Sequence, residues 1–173
     1  MYAGHFATAL ALKAARPRVP TWPLLLGAGL LDVAFGALVI AGVEGAAPDY
    51  ARSHRLDIAW SHSLLGAAVL ALCFALALRR WASGGAALLV AAVLSHWLLD
   101  VAVHPADIRL WPGSAAFGFR GTFGPVSGWF ETVLVLATLA FYAAVARRRG
   151  DFGGRWAWAC AVIAGLWALG LAA

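Results

Sequence analysis

The sequence predicts an all-α membrane protein, a polytopic helical bundle of five spanning helices preceded by a short N-terminal helix. The chain has 173 residues, 63% of them hydrophobic and 12% charged, and its mean hydropathy is +0.82. Soluble domains average about a quarter charged residues, and a single soluble core does not bury this much apolar surface. The apolar residues also form runs close to the length of about 20 residues that crosses a bilayer. We therefore expect one membrane-embedded domain, residues 1–173, surrounded by lipid.

Five apolar runs are candidates for the spanning helices. They cover residues 24–43, 58–78, 86–103, 128–146 and 156–172. A shorter apolar segment, residues 2–15, precedes them and either enters the bundle or lies on the membrane surface. Three prolines between residues 17 and 23 end that segment, because proline blocks helix continuation but suits a first helical turn. The two cysteines, Cys73 and Cys160, lie in apolar runs without a metal-type spacing.

The basic residues predict the orientation of the chain. Its formal charge is +5, but Lys and Arg stand between the apolar runs, so we expect no nucleic acid partner. Nine basic residues fall on one side of the predicted membrane: Lys13, Arg16, Arg18, Arg79, Arg80, Arg147, Arg148, Arg149 and Arg155. Four fall on the other side: Arg52, Arg55, Arg109 and Arg120. Because cytoplasmic loops carry the excess of Lys and Arg, the N-terminus is predicted inside, and loops 44–57 and 104–127 outside.

A histidine and an aspartate lie one helical turn apart inside the third apolar run. His96 and Asp100 are four residues apart, so they share one helix face. Ionisable side chains are costly within a bilayer, and their presence there usually marks a site. His62 lies in Ser61-His62-Ser63-Leu64-Leu65, which echoes the sequence around His96, and Ser61 is a candidate helix N-cap. Asp32 interrupts the first run and needs a partner from elsewhere in the fold.

Sequence offsets indicate which polar residues can meet. His5 lies eight residues before Lys13, and Asp32 lies eight residues into its run, which places both about 12 Å from the cytoplasmic face. His62, His96 and Glu131 lie 16 or 17 residues from the basic residues that flank their runs, in the outer half of the membrane. Side chains from five apolar segments are thus expected to converge.

These residue types are those of a metal site. Imidazole and carboxylate ligands suit zinc, and also iron or manganese, and a catalytic zinc site has three protein ligands and a water. His62, His96 and either Asp100 or Asp32 meet that requirement, although Asp100 could instead orient His96. The candidate metal ligands are His5, Asp32, His62, His96 and Asp100. The candidate acid–base groups are Asp100 and Glu131, and the candidate substrate contacts are His104, Arg109 and Arg120.

Four short strings resemble a known family. They are Gly4-His5, Ser61-His62-Ser63-Leu64-Leu65, Leu94-Ser95-His96 with Asp100, and Leu110-Trp111-Pro112. Over residues 3–113 they resemble the YdjM-type membrane-bound metal-dependent hydrolases, small proteins of the bacterial inner membrane. The resemblance matches His5, Asp32, His62, His96 and Asp100 to polar positions of that family. Two departures are visible: only Asp32 remains of an Asp-x-Asp-His cluster, and the family's His-Arg pair has a displaced counterpart, His54-Arg55.

The resulting hypothesis is an integral inner-membrane hydrolase that uses a divalent metal, with zinc first, on a lipid-like ester or phosphoester. One alternative is a small transporter or ion-coupled carrier, in which Asp32, His96, Asp100 and Glu131 relay protons or hold a cation. Another is a non-catalytic membrane subunit, whose polar side chains join helices by hydrogen bonds. The lipid bilayer and a lipid-like or small-molecule substrate are the expected partners.

Overall fold

The protein is a helical bundle in a computed structural model that describes residues 3–53, 55–82, 84–119, 126–149 and 155–172. The helices of the described residues are α1 (Ala3–Ala15), α2 (Thr21–Ala28), α3 (Leu30–Ile40), α4 (Tyr50–Ser53), α5 (Leu64–Leu78), α6 (Ala86–Val103), α7 (Val126–Arg149) and α8 (Arg155–Ala172). Strands β1 (Gly45–Ala46) and β2 (Leu56–Asp57) form an antiparallel pair in which Gly45 lies opposite Asp57. This architecture agrees with the predicted all-α class.

The predicted number of five spanning helices is not supported. In the described part of the chain, Ala86–Val103 and Trp129–Arg149 are long and apolar enough to cross a membrane. The pair α2 and α3 adds a third span if the two helices are counted as one bent span. Helix α5 (Leu64–Leu78) and the apolar part of α8 (Ala157–Leu169) have fewer than 18 residues. The structure therefore has two or three candidate spans.

Local backbone structure interrupts two of the predicted runs. The first run is divided at Gly29, where α2 and α3 meet at a bend of 48°. The second run begins at Ile58, but α5 begins only at Leu64, because Ser63 is its N-cap and accepts a hydrogen bond from the Gly66 N–H at 3.1 Å. The segment before α5 is therefore non-helical and carries His62. Ser63, rather than the predicted Ser61, caps the helix.

Helix α1 lies inside the bundle, not on the membrane surface. It packs mainly on α7, and also on α2, α6 and α8. Its buried positions are small or apolar with one exception, His5. Small residues let helix backbones approach closely, so α1 fits between its neighbours. The N-terminal segment thereby brings a histidine into the protein interior.

Two clusters of apolar side chains meet at α1. One joins α2, α3, α5 and α6 and includes Leu24, Leu31 and Leu89, each fully buried. The other joins α1 to α7 and α8. Many large apolar side chains instead point outward from the helices, such as Val33, Leu72, Leu98 and Val133. Such an apolar exterior is what a lipid environment requires.

The chain after α6 folds back over the start of α5. The Leu64 and Leu65 N–H groups donate to the carbonyl oxygens of Arg109 and Leu110, at 3.0 and 2.9 Å. The first N–H groups of a helix have no partner within it, and these bonds supply one. The same contacts hold the non-helical segment around His62 beside the C-terminal end of α6.

Candidate metal centre

Four imidazoles and two carboxylates converge at the centre of the bundle. His5 comes from α1, Asp32 from α3 and His62 from the segment before α5, whereas the others lie on α6 or at its end. The cluster consists of His5, Asp32, His62, His96, Asp100 and His104. Two triads within it have donor atoms placed to hold a metal ion: His5, His96 and Asp100, and Asp32, His62 and His96. The two triads contain the five predicted metal ligands. His104, a predicted substrate contact, is the sixth member of the cluster.

Asp100 is the hub of the cluster. Its Oδ2 lies 3.1 Å from His96 Nε2 and 3.5 Å from His62 Nε2. Its Oδ1 lies 3.1 Å from His5 Nε2 and 3.7 Å from His104 Nε2. The residue is 1% exposed, so its carboxylate interacts with these imidazoles rather than with bulk water. Both oxygens of one buried carboxylate are thus surrounded by imidazole nitrogens.

Asp32 completes the set from α3. Its Oδ1 lies 3.7 Å from His62 Nε2 and 3.6 Å from His96 Nε2. Its side chain is 45% exposed, whereas the side chains of His62 and His96 are at most 4% exposed. Asp32 also lines an apolar pocket of about 390 Å³, together with Phe6 and Leu25. The cluster therefore has a buried side at α6 and a more open side at Asp32.

The bend between α2 and α3 orients His96. The His96 Nδ1–H donates to the carbonyl oxygen of Ala28, the last residue of α2, at 2.6 Å. The last carbonyl groups of a helix have no N–H partner within that helix, so the Ala28 carbonyl oxygen can accept from His96. Because a carbonyl oxygen only accepts, Nδ1 carries a proton, and Nε2 is the ring nitrogen turned to the cluster.

His62 is oriented by two residues outside the cluster. Its Nδ1 lies 2.7 Å from Ser61 Oγ, and that hydroxyl donates to Glu44 Oε2 at 2.6 Å. The hydroxyl proton is thus committed to Glu44, so the His62 Nδ1–H donates to Ser61 Oγ. Glu44 Oε1 in turn accepts from the backbone N–H groups of Trp60 and Ser61, at 2.7 and 2.9 Å. A buried chain of hydrogen bonds therefore turns His62 Nε2 towards Asp100.

His104 has a similar arrangement at the end of α6. Its Nδ1 donates to Asp107 Oδ1 at 3.1 Å, and Asp107 Oδ2 accepts from the Leu56 N–H at 3.1 Å. His5 differs, because its buried Nδ1 has no hydrogen-bond partner in the described part of the chain, and its ring stacks on His96 at 3.7 Å. Three of the four imidazoles thus have Nδ1 engaged and Nε2 turned inward.

This donor set fits a metal ion. His96 Nε2 lies 3.1 Å from Asp100 Oδ2, so a metal ion between the two atoms would have a nitrogen ligand and an oxygen ligand. Asp100 Oδ2 is also a buried atom without a hydrogen-bond partner in the described structure. Ligands at about 2.0–2.1 Å from a tetrahedral zinc ion lie about 3.3–3.4 Å apart. The distances of 3.1–3.7 Å between His62 or His96 Nε2 and the oxygens of Asp32 and Asp100 bracket that spacing.

Other predicted site residues lie elsewhere. Glu131 Oε1 accepts from the Gly4 N–H at 3.1 Å, so this carboxylate binds the first turn of α1 instead of the cluster. Its predicted catalytic role stays a prediction, without a contact to the cluster in the described residues. The Arg109 guanidinium donates to the Ser114 carbonyl oxygen and orders the loop after α6. Arg120 and His54 lie outside the described residues.

Two functional candidates, Glu44 and Asp107, have no role in the sequence-based prediction. Each is an acidic residue beside an apolar run, and both are buried, at 8% and 4% exposure. For Asp107 a signal was available in the sequence, since it is three residues after His104, a predicted substrate contact. For Glu44 no such signal exists, because it is 18 residues from His62. Its role depends on the fold of loop 44–57.

Comparison with known proteins identifies the family. The family model described as YdjM inner membrane protein matches residues 2–172. The match includes α7 and α8, so it extends well beyond the predicted region of resemblance, 3–113. No curated protein and no solved structure matches the chain. Since the match covers nearly the whole sequence and the helices are strongly apolar, the chain belongs to the YdjM inner membrane protein family.

Proposed function

We propose that this protein is a metal-dependent hydrolase that acts within the inner membrane on a lipid-like ester or phosphoester. The main support is the arrangement of His62 and His96, whose Nε2 atoms lie 3.1–3.7 Å from carboxylate oxygens. Both imidazoles are held by bonds to Nδ1, which leaves Nε2 to bind a cation. Ionisable side chains are costly in apolar surroundings, so a cluster of histidines and aspartates there favours a functional site.

The residues divide into roles by position. His62, His96, Asp32 and Asp100 would hold a divalent ion, with zinc first on the basis of the donor types. His5 and His104 face the other oxygen of Asp100 and would complete the surroundings of the ion. When bound, such an ion supplies Lewis acidity towards an ester or phosphoester and makes water nucleophilic near neutral pH.

The uneven burial of the cluster suggests how a substrate reaches it. Asp100 and His96 are each 1% exposed, so protein excludes water from their side. Asp32 borders an apolar pocket, so a molecule dissolved in the bilayer would approach from α3.

The test is the metal content of purified protein. We expect at least one equivalent of a transition metal in the wild type, and a large loss in His96→Ala, because this change removes one imidazole from both triads. Leu98→Ala is the matched control, since Leu98 lies on the same helix and is 64% exposed. Elemental analysis in detergent measures the metal, and thermal unfolding checks the fold of each variant.

Activity is the second readout. We expect hydrolysis of lipid esters or phosphoesters in mixed micelles, lost on chelation and restored by zinc. The hydrolase proposal is overturned if wild-type protein is metal-free, binds no added zinc and is unaffected in stability by His96→Ala. Metal-free protein whose stability falls in His96→Ala would instead indicate protonated imidazoles paired with carboxylates, as expected for a subunit whose polar residues only join helices.

One observation supports the carrier as a second candidate. The span made of α2 and α3 is bent at Gly29, three residues before Asp32, and broken helices line ion sites in transporters. Transporter folds generally contain such helices in corresponding positions of two repeats. The bent pair is single in the described part of the chain, so the hydrolase has the stronger support. Uptake by proteoliposomes with a pH-dependent flux and no bound metal would favour the carrier.

A further inference from the structure

An apolar groove lies beside the candidate metal centre. It runs between α3 and α5 under the loop that follows α6, and its volume is about 750 Å³. Ala34 and Ala37 form one wall, and Leu65 and Val69 form the other. Sites for small molecules typically measure about 300–1,000 Å³ and are mainly apolar. The groove has the size and the chemistry of a ligand site.

Small residues make the groove deep. Alanines at two positions one turn apart leave space along α3, and Gly66 adds to it at the start of α5. A Cβ atom at Gly66 would collide with the Trp60 carbonyl oxygen, so glycine is also required for the segment before α5 to pack here. The groove thus depends on the same local structure that positions His62.

The groove reaches the cluster through one residue. Ser61 lines it, and Ser61 Oγ lies 2.7 Å from His62 Nδ1. The opposite nitrogen of His62 lies 3.5 Å from Asp100 Oδ2. A molecule in the groove would therefore end at Ser61, the residue that holds the His62 imidazole by its Nδ1.

We propose that this groove binds an acyl chain of a membrane lipid, with the ester or phosphoester end directed to the metal centre. This inference rests on the proposed function, because it assigns the groove as the site for the apolar part of the substrate. Among the residues that the structure describes, no charged side chain lines the groove. Leu65 and Val69 are 54% and 52% exposed on the apolar helix α5, so a lipid chain is an apolar molecule suited to cover them.

Two indoles indicate where the polar end of the lipid lies. Trp60 and Trp111 line the groove and are 59% and 54% exposed. Exposed tryptophans concentrate at the level of lipid headgroups, because the indole ring is apolar with one polar N–H. Both tryptophans are on the side of Ser61 and of the loop after α6. The chain of a lipid would then extend from there along α3 and α5.

Photolabelling tests the proposal on the full-length protein. The protein is reconstituted in vesicles of phosphatidylethanolamine and phosphatidylglycerol that contain a phosphatidylethanolamine with a diazirine in its acyl chain. We expect labelled peptides from α3 and α5 to exceed those from the exposed face of α7 around Val133. Ala37→Trp fills the groove and should lower the groove label about tenfold, the loss expected for about two buried methylene contacts.

Matched variants separate groove filling from a general effect. Ile40→Trp places the same side chain on the same helix at a position that is 91% exposed and outside the groove, and it should leave the label unchanged. Val69→Trp fills the groove from the α5 wall and should act like Ala37→Trp. Equal labelling of the groove and of α7, or labelling that survives both filling variants, overturns the proposal.

Metal content measured on the same samples separates the two proposals. Groove labelling that persists in metal-depleted protein and falls in Ala37→Trp supports the acyl-chain site whether or not hydrolysis is found. A metal-containing, hydrolytically active protein whose groove is unlabelled refutes the acyl-chain site and leaves the hydrolase proposal standing.

Discussion

At the scale of residues, the hydrogen-bond partners of the imidazole Nδ1 atoms determine which ring nitrogen of each histidine faces the carboxylates. His96 donates to Ala28 and His62 donates to Ser61, so both present Nε2 to the same carboxylates. A histidine free to rotate would offer either nitrogen, and its affinity for a metal would be lower because the ring must be ordered on binding. The sequence indicates the imidazoles and carboxylates, but their orientation depends on acceptors that are distant in the chain.

Glu44→Gln should weaken metal binding without unfolding the protein. The glutamine carbonyl oxygen can still accept from the Trp60 and Ser61 N–H groups, but its amide nitrogen cannot accept from the Ser61 hydroxyl. Residues that orient a metal ligand typically contribute about 10–100-fold to affinity, and we expect a loss in this range. Competition with a zinc-binding dye measures it.

Two further variants complete that experiment. Ser61→Ala interrupts the same chain at its middle and should give a loss of similar size. Asp49→Asn is the control, since Asp49 lies in the same loop and pairs with Arg55 at the surface, 2.9 Å away. Zinc affinities that are equal in wild type, Glu44→Gln and Ser61→Ala would show that this hydrogen-bond chain has no effect on the site.

At the scale of elements, the ends of helices matter more than their apolar composition. The counts from flanking basic residues placed His5 and His96 at different depths, yet both approach Asp100 within 3.1 Å. The difference disappears because α6 begins only at Ala86, after a turn that contains Gly84 at a φ of +77°. Residues between Arg80 and Ala86 therefore do not add helical rise. The start of α5 at Leu64 leaves His62 in a turn, where its N–H donates to the Ile58 carbonyl oxygen at 3.0 Å.

A pair of glycine variants tests the junction before α5. Gly66→Ala should lower the free energy of unfolding by about 1–3 kcal/mol, because the new Cβ collides with the Trp60 carbonyl oxygen. Gly36→Ala on α3 meets nothing within 4 Å and should raise it by about 0.5–1 kcal/mol, as expected for a helical glycine. Unfolding in detergent measures both.

The zinc affinity of the same variants links the junction to the site. Displacement of the Trp60 backbone moves His62, so Gly66→Ala should also bind zinc more weakly, whereas Gly36→Ala should bind it as the wild type does. Unchanged stability and affinity in Gly66→Ala would mean that the backbone relaxes around the added methyl group and that the junction is not a tight fit.

At the scale of the whole molecule, the protein assembles one polar centre from segments far apart in the chain. His5 and His104 are separated by 99 residues in sequence and both face Asp100 Oδ1. The two apolar clusters on either side of α1 hold these segments together. The positive-inside rule predicts that the loop after α6 faces outward and that the arginines at the end of α7 face the cytoplasm.

Cysteine accessibility tests this orientation. In a background with Cys73 and Cys160 replaced by alanine, Ala115→Cys lies in the loop after α6 and Arg148→Cys lies at the end of α7, both at exposed positions. A maleimide that does not cross membranes should label residue 115 in intact spheroplasts and residue 148 only after lysis. The reverse pattern would place the N-terminus outside and contradict the positive-inside prediction.

The sequence by itself determined the membrane class, the family and the residue types of the site. Hydropathy and charge are sums over the chain, and an ionisable side chain in an apolar run is visible without a structure, so His5, Asp32, His62, His96 and Asp100 could be selected directly. The tertiary structure decided the number of candidate spans, the presence of α1 in the bundle, the addition of His104 to the cluster, and the partners Glu44 and Asp107. These features depend on where helices end and on contacts between distant segments. Composition alone does not predict them, because a helix break such as that at Gly29 also depends on packing against distant residues such as Phe6.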